Sequence, residues 1–91
     1  MTYFQRITAI EQACMDNNIP YSVNRLLDGW QIQFPWCKGD VACHGGTYGH
    51  DIDMVESYEF PWDEGDVSML TVEEAIEKII TFYKKILDTA T

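Results

Sequence analysis

The sequence predicts an α+β domain: a three- or four-stranded antiparallel sheet with an N-terminal and a C-terminal helix packed on one face. One helical apolar stripe opens the chain and a longer one closes it. Between them lie short alternating runs punctuated by Asp-Gly, Pro and Gly. Residues 1–91 form one domain, because 91 residues leave no room for a second core, and an apolar fraction of 46% suffices to build one.

Residues 2–17 read as an amphipathic helix, since Tyr3, Ile7, Ile10 and Cys14, flanked by Phe4 and Ala13, recur at three- and four-residue spacing. Thr2 is the expected N-cap, and Asn17-Asn18 before Pro20 ends the helix. Residues 21–27 and 30–34 alternate as strands around Asp28-Gly29, a pair that predicts a hairpin whose two turn residues both take φ > 0. Pro35 and the Lys38-Gly39-Asp40 turn lead to a short third strand near 41–44. Residues 45–49 read as a glycine-rich loop, 54–60 as a fourth strand and 61–66 as an irregular loop. The closing helix is the clearest element: Val72, Ala75, Ile76, Ile79, Ile80, Tyr83, Ile86 and Leu87 trace an unbroken stripe. Thr71 and Glu74 supply a capping box, with acids at the helix start and Lys84 and Lys85 near its end, where the dipole favours each.

Charge is the main compositional signal. Fifteen acids against six Lys and Arg give −9, and residues 51–77 hold ten of the acids and no Lys or Arg. Phosphate-bearing partners would be repelled, so DNA, RNA and anionic membranes are not expected to bind directly. The expected partner is a basic protein. The segment predicts a partner-binding face in which Asp51, Asp53, Glu56, Glu59, Asp63, Glu64 and Asp66 supply charge and Trp62 an aromatic anchor. Carboxylates spaced somewhat like phosphates would occupy the basic groove of a nucleic-acid-binding protein. The competing reading is a solvated surface, and acids at a helix start need no function.

Trp30, His44, Tyr48 and His50, with Trp36 and Cys43, surround the 45–49 loop and suggest a pocket for a nucleotide or another small planar ligand. The loop lacks the Lys-Ser/Thr ending of a phosphate loop, and the same aromatics serve equally well as core. Cys37, Cys43, His44 and His50 are zinc-ligand types, but Cys-x5-Cys-His-x5-His is not the tight knuckle of a structural site. The run 63–66 is too short for a calcium loop. Neither metal nor cofactor is expected. Cys43 with His44 or His50 and Asp51 offers the residue types of a thiol nucleophile without fixing their geometry, so no enzyme is expected. The start of the chain lacks the basic-then-apolar pattern of a secretory signal, and three cysteines form no framework. A cytoplasmic protein with reduced thiols is expected.

Trp30, Pro35, Gly39-Asp40, His44, Gly46-x-Tyr48-Gly49-His50, Val55-Glu56 and Leu70-Thr71-x-Glu73-Glu74 together form a pattern over about the last two-thirds of the chain. It resembles a group of small acidic proteins encoded by phages and prophages of Gram-positive bacteria. The resemblance implies a host-cell context and no catalytic residues. Within that context the expectation is an anti-CRISPR or other anti-defence inhibitor acting as a nucleic-acid mimic. A nucleotide sponge and a phage accessory protein without a defence role are the alternatives.

Overall fold

A computed structural model describes residues 1–90. The order is α1 (Tyr3–Asp16), β1 (Ser22–Leu26), β2 (Gly29–Gln33), β3 (Asp40–Cys43), β4 (Met54–Tyr58), a 3-10 turn (Pro61–Asp63), β5 (Val67–Thr71) and α2 (Val72–Thr89). The strands form one meander in the order β1-β2-β3-β4-β5, every neighbour antiparallel. Both helices lie on the same face. α1 packs on β2 and β3, α2 on β4 and β5, and the helices touch each other.

Alternation along the strands explains why one face is covered. Ile32, Val41, Cys43, Val55 and Leu70 point towards the helices and are buried, meeting Ile7, Ile10 and Cys14 of α1 and Val72, Ala75 and Ile79 of α2. Both helices begin with a reciprocal capping box, Thr2 with Gln5 and Thr71 with Glu74. Each box satisfies amides that a helix start leaves without intrahelical partners.

Three expectations need correction. The sheet has five strands rather than three or four, because Val67–Thr71 pairs with β4 in the register Val55↔Leu70. This strand is five residues long and runs directly into the Thr71 cap, so its identity rests on pairing with β4 and not on a local pattern. The hairpin between β1 and β2 forms, but Leu26 pairs with Gly29, which makes Leu27-Asp28 the turn rather than Asp28-Gly29. Leu27 takes the positive φ (55°). Gly29 belongs to the strand, where a Cβ would come within 1.9 Å of the Cys43 carbonyl oxygen. The fourth strand stops at Tyr58, because Glu59 adopts φ 64° and turns the chain inward at Phe60.

Candidate functional site

The residues between those core positions face the other way. Gln31 and Gln33 on β2, Asp40 and Ala42 on β3, Met54, Glu56 and Tyr58 on β4, and Val67 and Met69 on β5 alternate onto the uncovered face. No Lys or Arg occurs among the strand positions of this face. Asp40 pairs across the sheet with Tyr58, and Ala42 with Glu56.

Burial pushes the Asp40 carboxyl above its ordinary value; a hydrogen bond with the Gln31 side chain opposes this, while Glu59, Glu56 and Asp63 add to it through like charge. The surroundings of Asp40 therefore disfavour its charged form. Glu56 Oε2 accepts the Tyr48 N–H at 2.9 Å, which ties the glycine-rich loop to the sheet. Gly49 tightens that contact, since a Cβ there would lie 2.7 Å from the Met54 Cβ and 2.8 Å from the Met69 Cγ. Tyr48, Ile52, Tyr58 and Met69 remain exposed on or beside the face, so carboxylates and large apolar groups are interleaved. Beyond Tyr58 and Glu59 the surface continues into a shallow cleft reaching Phe60, Pro61 and Glu64, with Lys38 at its rim.

The acidic segment does not project as one field. Asp63 is 5% exposed; its carboxylate accepts the Ser57 hydroxyl at 2.8 Å and the Phe60 N–H at 3.1 Å. Asp53 accepts the Met1 amino group at 2.6 Å, with the Arg6 guanidinium 3.4 Å away. The amino group's hydrogen bond is the main cause holding the Asp53 carboxyl below its ordinary value. Glu73, Glu74 and Glu77 belong to α2, on the opposite side of the sheet. Asp51, Glu59, Glu64 and Asp66 are exposed in the loops. Of the residues expected to carry charge to a partner, Glu56 and Glu59 join Asp40, which lies outside the 51–77 segment.

Trp62 is a wall rather than a free anchor. It stacks on Phe60 at 4.3 Å, its indole N–H donates to Ser57 Oγ at 3.0 Å, and the Lys78 ammonium sits 5.3 Å from its ring. The cleft between this turn and α2 carries Glu74, Glu77, Lys78 and Lys85, two charges of each sign.

Of the four residues suggested for a ligand pocket, Trp30, His44 and His50 are each engaged separately. Trp30 packs against Phe4 and under the Arg25 guanidinium. His44 Nδ1 accepts the Gly46 N–H, and His50 Nδ1 pairs with the Tyr3 hydroxyl at 3.1 Å. Tyr48 is exposed, and neither cleft is lined by any of the four. Among the described residues no three His, Cys, Asp or Glu side chains are grouped to hold a metal ion. The buried Cys43 sulfur meets Arg6 Nη1 at 3.2 Å and the Met54 carbonyl at 3.8 Å, and burial pushes its thiol upward despite the guanidinium. That environment favours a structural thiol over a thiolate nucleophile. No helix among the described residues is long and apolar enough to cross a membrane.

The sequence held a signal for Asp40, though charge density alone did not reveal it. Starting the third strand at Asp40 puts it in phase with Ala42 and out of phase with Val41 and Cys43, hence on the side opposite the core. Compared with protein-family models, with curated proteins and with solved structures, the chain matches none of them.

Proposed function

We propose that the chain is a binding protein that docks its uncovered sheet face on a basic surface of another protein. The observation that carries this reading is Asp40: a half-buried carboxylate among Glu56 and Glu59, on a face whose strands offer no cation. Such an arrangement costs stability in the free protein, and guanidinium or ammonium groups from a partner would relieve it. Tyr58, Met69 and Tyr48 provide the apolar area that charge pairs alone lack.

The partner chemistry that fits is an Arg- and Lys-rich surface of the kind that binds nucleic acid, with Asp40, Glu56 and Glu59 standing where phosphates would sit. The resemblance to small acidic phage proteins makes a bacterial defence effector, such as a CRISPR nuclease, the proposed owner of that surface. The nucleotide-sponge alternative gains no support from Trp30, His44 and His50, whose side chains are each engaged with a different neighbour.

Titration of the isotope-labelled chain with an arginine-rich peptide, followed by backbone and side-chain NMR, tests the reading. Shifts should cluster at Gln31, Asp40, Glu56, Tyr58 and Met69 and shrink steeply as salt is added. Shifts centred on Glu73 and Glu77 of α2 would place the binding surface elsewhere and refute the assignment.

A further inference from the structure

We propose that Asp66 and Glu74 close the free edge of β5 against strand pairing with a second copy of the chain. β5 is a terminal strand, and Val67-Ser68-Met69-Leu70-Thr71 contains neither a charged residue nor a proline. An edge of that composition recruits further strands unless something occupies it. The opposite edge strand, β1, carries Arg25.

Alternate residues of an antiparallel edge strand turn their amides inward to the ladder or outward to solvent. The Val67 N–H donates to Asp66 Oδ1 at 2.8 Å and the Thr71 N–H to Glu74 Oε1 at 2.9 Å, so residues 67, 69 and 71 face outward. β4 agrees: Met54, the partner of Thr71, gives its N–H to the Gly49 carbonyl at 3.1 Å, away from β5. Two of the three outward amides are thus held by carboxylates, and the Met69 N–H is left between them. Two β5 strands paired antiparallel about Met69 would exchange Met69 N–H and carbonyl groups. They would also need each Thr71 N–H to reach the Val67 carbonyl of the second copy. Glu74 already holds that amide, and joining the copies would bring Asp66 and Glu74 carboxylates of both chains together.

The same Glu74 oxygen that completes the α2 capping box therefore keeps the sheet from extending. This leaves one copy to present its open face, independently of what that face binds.

The test is sedimentation velocity of the full chain and of Asp66→Ala/Glu74→Ala at matched high concentration, with hydrogen exchange read at β5. Wild type should sediment as a monomer and the double variant at twice the mass, with the Met69 amide newly protected. Adding Met69→Pro to the double variant removes the central one of the three outward donors, about which the two copies would pair, and should restore the monomer. A folded double variant that stays monomeric would overturn the proposal, as would one that still dimerises with proline at 69. Should the double variant fail to fold, exchange in the wild type decides. Met69 must exchange faster than Ser68 and Leu70, and the reverse order would refute the edge assignment.

Discussion

On one face of the sheet Ile32, Val41, Val55 and Leu70 disappear beneath two helices; on the other, one residue along each strand, Gln31, Asp40, Glu56 and Met69 lie under no helix, and only the 45–49 loop touches Glu56 and Met69. The same contrast divides the acids. Asp63 is enclosed on the covered side with two hydrogen bonds, whereas Asp40 is half-buried on the open side beside further carboxylates. The partners a carboxylate meets where the fold places it therefore decide whether it supports the fold or strains it, and net charge does not report which.

The covered face should give the largest effects. Ile32→Ala removes a fully buried side chain from the sheet centre and should cost about 3 kcal/mol in denaturant unfolding. A loss below about 1 kcal/mol would mean that the core is looser than its packing indicates. Next comes Asp63→Ala, which strips the acceptor from Ser57 and the Phe60 amide and frees the Trp62 indole network. About 2 kcal/mol should be lost, together with a change in Trp62 fluorescence. An unchanged midpoint would erase the distinction drawn between the two sets of acids.

Asp40→Asn should act in the opposite direction. The native carboxyl holds its proton to a higher pH than the unfolded one, so ionisation costs stability at neutral pH. That cost fades as pH falls through the raised folded value towards the ordinary one. The amide should therefore stabilise the fold at pH 7 by a small margin, with the gain vanishing in mild acid. Destabilisation at neutral pH would show instead that the Gln31 bond and the surrounding dipoles fully compensate the charge.

The smallest effects concern chemical reactivity. Burial, aided by Glu11, pushes the Cys14 thiol up to about 11, so it should resist alkylation at pH 8 in the folded chain, while Cys37, only half-buried, reacts first. Faster labelling of Cys14 than of Cys37 would show that α1 opens more readily than the loop after β2.

Much of the fold was legible because periodicity and caps are local signals. The α2 stripe, the Thr71–Glu74 box and the α1 stripe all carry their meaning within one or two turns. β5 was not, since a five-residue strand adjoining a cap owes its identity to pairing with β4. The turn at Leu27-Asp28 was displaced from Asp-Gly for a similar reason. Gly29 answers to the Cys43 backbone on the next strand, a contact that no hairpin signal encodes. The candidate site suffered most. Counting acids along residues 51–77 included Asp63, which faces inward, and Asp53, which faces Met1 and Arg6, and passed over Asp40, which cross-strand register places near Glu56.

Removing the same charge from each side of the sheet tests the proposed docking face most directly. Asp40→Asn/Glu56→Gln and Glu73→Gln/Glu77→Gln lower the net charge equally, on the open face and on α2. Their affinities for one arginine-rich peptide should be compared by calorimetry at low and moderate salt. The open-face pair should lose at least tenfold, about 1.4 kcal/mol, while the α2 pair stays near wild type. Equal losses from both pairs would mean that only total charge attracts the peptide, contradicting a dedicated face.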